Sequence, residues 1–247
     1  MARLEINVTG AGHTISPAER AILVLQAQSG QLATAAEASA TVTATANALR
    51  DAILPHCPQD DATGRTLEGA PIAHYSMSTL DTNSHRERIS TSKDEWTEKS
   101  KVEYETTFSA RAEMHIKFSD FSLLNTLATQ FSAWQNVKIQ KISWCLTDRT
   151  LDSIKGATRK KAAKDAIQRA YDYAEVFAGI EESELKSKVK AVSINENNYY
   201  SQSTRPQLHY GKGMRMKTSV VEKEELMFQP EDVRLEATVS GKFVVED

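Results

Sequence analysis

Alternation and helical recurrence of apolar residues organise the chain before any composition is considered. Leu4, Ile6 and Val8 alternate with Glu5 and Asn7, the period of a half-buried strand. Gly10-Ala11-Gly12 then reads as a turn, because glycine reaches positive φ cheaply. Residues 21–27, apolar almost throughout, predict a second strand and hence a hairpin with the first. Thr34 and Glu37 have capping-box spacing ahead of Leu32, Ala35, Ala38, Val42, Ala46, Leu49 and Ile53, which recur at helical intervals up to Pro55. A helix of small residues is expected there, laid on something flat.

The strongest period-two signal is Val102, Tyr104, Thr106, Phe108, Ala110, Ala112, Met114, Ile116 and Phe118 on one side. Glu103, Glu105, Arg111, Glu113, His115 and Lys117 fall on the other. Such a strand would reach roughly 56 Å, far beyond the usual length, so a bend or bulge is expected inside it. One face should cover a core and the other meet water or a partner. Asp120 is placed to cap a short helix through Leu124, Leu127 and Phe131, and residues 137–144 predict another strand. A long helix over 148–178, closed by Gly179, carries Ala162, Ala166, Ala170, Ala174 and Ala178 at every fourth position. Such a ridge permits close packing, with Leu151, Ile154, Ile167 and Phe177 adding bulk nearby. Residues 188–195 and the alternating series Val233 to Val245 complete the strands. Residues 71–80 suggest one more, while 81–101 and 196–230 read as long polar loops. Strands mixed with helices in this order predict an α+β fold, a largely antiparallel sheet with helices packed on one face.

Four of these features in sequence resemble the SIMPL-domain family. They are Val8-Thr-Gly-Ala-Gly12 with Ile15-Ser-Pro-Ala-Glu19, the strand from Phe108 ending in Asp120-Phe121, the alanine ladder ending Ala178-Gly179-Ile180, and Phe228-Gln-Pro230 before the last strand. The resemblance runs from about residue 4 to 245, so the chain is expected to be a single SIMPL-like domain over 1–247. It implies self-association and no established catalytic residue; the patterned strand face adds the expectation of an unidentified protein partner. The resemblance also implies loose links to oxidative-stress defence in bacteria and to kinase-associated signalling in animals.

Composition narrows the chemistry. The 247 residues are 40% hydrophobic and 26% charged, which excludes a disordered chain. No apolar run reaches the length of a membrane span. The opening residues have no secretory pattern, and two cysteines suit a reducing compartment, so a cytoplasmic location is expected. A net charge of −3 makes nucleic acid an improbable principal partner. Six histidines have no metal-ligand spacing and Gly10-Ala-Gly12 is no dinucleotide fingerprint, so no metal or cofactor is expected.

Three candidates remain. Cys145, just before a predicted helix start, could be redox-sensitive. Arg111, Glu113 and His115 form a charged row on one strand face, suited to interaction and, as an alternative, to acid–base work in a redox- or ligand-responsive enzyme. Tyr199, Tyr200, Arg205, Tyr210, Lys212, Arg215 and Lys217 mix rings and cations as a single-stranded nucleic-acid binder would. The leading expectation is a non-enzymatic protein acting through protein–protein contacts and self-assembly.

Overall fold

The computed structural model describes residues 4–60, 62–93, 100–196, 200–203 and 227–246, with 89–93, 100–103 and 200–203 described by backbone alone. The strands are β1 Glu5–Pro17, β2 Arg20–Gln28, β3 Ile72–Met77, β4 Asp81–Lys93, β5 Ser100–Phe118, β6 Val137–Cys145, β7 Val189–Glu196, β8 Tyr200–Ser203 and β9 Asp232–Val245. The helices are α1 Ala35–Ile53, α2 Phe121–Ser132, α3 Asp148–Ala178 and the single turn α4 Leu185–Lys188. The fold is α+β and antiparallel, as the pattern predicts, but it holds two sheets where one was expected. The chain divides into two compact units: Met1–Glu19 with Trp144–Gly211 and Pro230–Asp247, and Arg20–Ser143 with Lys212–Gln229.

In the first unit β9 is the central strand, with β1 on one side and β7 and β8 on the other. β1 pairs with β9 along its whole length, from Glu5 opposite Val244 to Pro17 opposite Asp232. The expected β1–β2 hairpin is therefore absent, and Gly10-Ala11-Gly12 is not a turn but strand interior. The reason lies above it. A Cβ on Gly10 would collide with the backbone of Ala162 and Ala166, and one on Gly12 would lie 2.6 Å from the Thr158 carbonyl oxygen. Glycine in a strand often marks close approach by another backbone, and here that backbone is α3. The alanine ridge makes the approach, with Ala162, Ala166, Ala170 and Ala174 all buried. Ile6, Val8, Phe243, Ile180, Leu185 and Val189 pack around its second half.

The start of α3 is held from a distance in sequence. Thr147 is the N-cap, and the Glu19 carboxylate accepts from the Thr147 amide, the Thr147 hydroxyl and the Thr150 hydroxyl, each at 2.7 Å. A carboxylate there satisfies orphan donors and complements the helix dipole. Glu19→Gln should lower unfolding free energy by about 1–2 kcal/mol. Urea titration checks this, with the midpoint falling at constant m-value.

β1 is an edge strand, and part of its edge is closed by α3. The Ala11 amide donates to Asp165 Oδ2 at 2.9 Å, and Lys161 Nζ donates to the His13 carbonyl at 3.0 Å. Exposed edges invite pairing with another chain; these two side chains block that stretch. Lys161 and Arg169 thus lie beside the alanine ridge, while Arg159 reaches Glu196 of β7 at 2.9 Å on the opposite flank. Phe177, expected to add bulk near the ridge, is instead 72% exposed.

In the second unit the strand order is β3-β5-β2-β6, with β4 also paired to β5. β5 spans 19 residues. Its irregularities lie in its partners, between Ile72 and His74 and between Arg88 and Ser90. β4 occupies residues 81–93, where a loop was expected, just as β8 of the first unit lies within the expected loop 196–230. Helices cover the apolar face: Ala38, Val42, Ala46, Leu49 and Ile53 of α1 are buried, as are Leu124, Leu127, Ala128 and Phe131 of α2. Beneath them lie Leu23 and Leu25 of β2 and Met114, Ile116 and Phe118 of β5, all buried. Both predicted caps form. The Thr34 hydroxyl accepts from the Glu37 amide at 3.2 Å, and Asp120 Oδ1 from the amides of Ser122 and Leu123.

Candidate docking faces

Among the described residues each sheet carries helices on one face only, so each leaves a patterned face uncovered by its own helices. In the first unit the outward positions of β1 and β9 pair as Asn7 with Lys242 and Thr9 with Ser240. Lys242 also faces Ser193 and Ser240 faces Asn195 on β7. Thr9 and Ser240 hydroxyls lie 3.0 Å apart, and Lys242 Nζ meets the Glu5 carboxylate at 2.8 Å. These strands line a shallow, open hollow of about 290 Å³. Its lining mixes hydroxyl and amide groups and one cation with Val8 and Ile194.

In the second unit the structure brings Arg111, Glu113 and His115 to one face of β5, as predicted. Their cross-strand neighbours on β2 are Gln28, Gln26 and Val24, and on β3 Ser76 lies opposite His115. Arg111 holds Asp81 of β4 at 2.9 Å. The Glu113 amide donates to the Ser78 hydroxyl at 2.9 Å, and His115 Nε2 stands 3.8 Å from Glu113 Oε2. All three side chains are roughly half exposed and pair within the sheet, while Val24 opposite His115 is buried. A second open hollow of about 510 Å³ is bordered by Gln59, Arg65, Thr66, His74 and Tyr75. Among the described residues no three His, Cys, Asp or Glu side chains group to hold a metal, and no helix is long and apolar enough to cross a membrane.

Cys145 ends β6 and is partly buried; neither it nor the buried Cys57 forms a disulfide. Its carbonyl accepts from the Glu19 amide at 3.1 Å. The helix start beside it already holds the Glu19 carboxylate, the kind of charge a thiolate would bring. Tyr200 lies in β8, paired with Glu236 in backbone terms. Tyr199, Arg205, Tyr210, Lys212, Arg215 and Lys217 lie outside the described residues.

Two features of the site went unread in the sequence. Glu19 is remote in sequence from the helix it caps, and no local motif joins them. The residues flanking the alanine ridge are legible in retrospect: Lys161, Asp165, Arg169, Tyr173 and Phe177 repeat at every fourth position, one place before each alanine.

Two antiparallel sheets, each helix-covered on one face, define a class of α+β protein, and the particular family follows from its sequence. A family model described as SIMPL, protein of unknown function (DUF541), matches residues 6–243. The chain belongs to the SIMPL family, and the match runs through both units. No curated protein matches it.

Proposed function

We propose that this chain is a docking protein of the cytosol. It assembles with itself and engages a protein partner in stress defence or signalling, and it performs no chemistry of its own. The observation that carries this is that, among the described residues, the outward face of each sheet is clear of that sheet's own helices. Both are largely polar and regularly patterned, and the hollows bordered by Asn7 and Lys242 and by Arg65 and His74 are partly open, where ligand pockets are enclosed and mostly apolar. Charged groups there are paired with their neighbours: Arg111 with Asp81, Lys242 with Glu5. Neither Cys57 nor Cys145 forms a disulfide, which suits a reducing compartment.

Multi-angle light scattering of the full chain tests the assembly. The mass should rise with concentration to a multiple of 27.4 kDa. A strict monomer at high micromolar concentration overturns self-assembly.

A further inference from the structure

The ridge that closes part of the β1 edge does not close all of it. Lys161 sits at His13 and Asp165 at Ala11, so four residues of helix advance with two of strand. The match is geometric: about 6 Å of helix rise against about 6.7 Å of strand. The neighbouring alanine ridge stays buried to Ala174, so the ridge one residue before it keeps the same flank. Continuing the step places Arg169 beside Thr9, Tyr173 beside Asn7 and Phe177 beside Glu5. Among the described residues the edge-side backbone groups of Asn7 and Thr9 have no partner. At this end of α3 Tyr173 is 48% exposed, Val176 75% and Phe177 72%, with the two rings 6.1 Å apart. The same edge is thus sealed by charge at one end and left open beneath an apolar flank at the other.

We propose that a second copy of this chain pairs with this open stretch, β1 against β1 and α3 against α3 about a two-fold axis at Asn7. This rests on the self-assembly proposed above and names its surface. Such an axis sets Asn7 opposite Asn7 of the second copy and Glu5 opposite Thr9, and it satisfies the free amides and carbonyls of both strands at once. It also sets Phe177 against Arg169 of the second copy, a cation over a ring face. A lone foreign strand fits less well. It would lie in the sheet plane and leave the outer side of the rings, one layer higher, in water. A second copy brings its own helix at that height. The three exposed side chains supply roughly 350 Å² of apolar area per copy. With the strand edges the interface totals about 1,200 Å², the lower end for a specific contact. The dimer should therefore form and dissociate in the micromolar range.

Sedimentation velocity of the full chain, with two variants, tests this. Phe177→Lys changes an exposed side chain, and it should weaken dimerisation at least ~30-fold. Asn7→Cys should give a disulfide-linked dimer on mild oxidation where the wild type gives none. Directly opposed residues of an antiparallel pair lie about 5.5 Å apart at Cα, within disulfide reach. If the wild type assembles but Phe177→Lys assembles equally well, or Asn7→Cys fails to cross-link, this interface is wrong while self-assembly stands. A wild type that remains monomeric removes both, leaving the apolar flank to a foreign partner.

Discussion

Gly10→Val is expected to unfold the four-stranded unit. A Cβ at residue 10 would meet the Ala162 carbonyl oxygen, the Ala166 amide nitrogen and the Ala166 Cα, the last at 2.7 Å. These are backbone atoms of a 31-residue helix, so no rotamer change relieves the contact and α3 must lift off the sheet. Lifting it forfeits the short-range attraction along the whole alanine ridge, because small side chains stabilise only by closeness. Overpacking of a rigid contact costs on the order of 3 kcal/mol for alanine at this site, and more for valine. Against a total of about 5–15 kcal/mol, that is enough to empty the native state or nearly so. Far-ultraviolet circular dichroism during urea titration measures it.

Gly241 supplies the internal control. Its added Cβ would approach the Phe243 ring, with Cε2 at 2.6 Å, and a ring at the end of a side chain can shift. Gly241→Ala should cost about 1–2 kcal/mol and be relieved by Phe243→Leu in the double variant. No truncation on α3 can relieve Gly10→Ala in the same way, since what it strikes is backbone. Equal costs at the two glycines would mean that α3 is not seated on β1 as described.

The same contrast between local and distant determinants explains what the sequence made legible. α1 and α2 were readable because their caps and buried positions are local, Thr34 with Glu37 and Asp120 ahead of Leu124. β1 was readable as a strand but its partner was not, since alternation fixes which side chains turn inward and is silent about which strand lies alongside. β9 follows more than two hundred residues later. β4 was missed for another reason. Residues 84–88 of β4 and 104–106 of β5 are exposed on both faces, because this part of the ribbon has no helix above it. A strand buried on neither face has no hydrophobic period to find. The glycines of β1 were misread because Gly-x-Gly signals a turn only when nothing else requires the missing Cβ. The alanine ladder at the same spacing was the sign that something did. Of the candidate site, the outward row Arg111, Glu113 and His115 was visible because period two survives in a strand with one covered face.

Phe118→Ala should cost the five-stranded unit about 4 kcal/mol, and its position on β5 says why the value lies high in the usual range. Phe118 is wholly buried and stands between Ala21 of β2 and Ile72 of β3 in the ladder. Both neighbours are held in register by their own strand pairing, so neither can move far into the space a ring would leave. Cavities that cannot collapse carry the larger penalties. Fourteen residues earlier on the same strand, Tyr104 is 51% exposed, and its ring lies under the Arg86 guanidinium at 4.2 Å. Removing that ring forfeits about 0.5–1 kcal/mol of cation–π attraction and little burial. One strand thus contains a residue whose truncation is nearly disabling and another whose truncation is nearly silent, because helices cover only the end that carries Phe118. Guanidinium titrations of both variants should give midpoints far apart at similar m-values. Comparable losses at the two positions would require the ribbon end of β5 to be packed as tightly as its core end, contrary to the exposure of Tyr104.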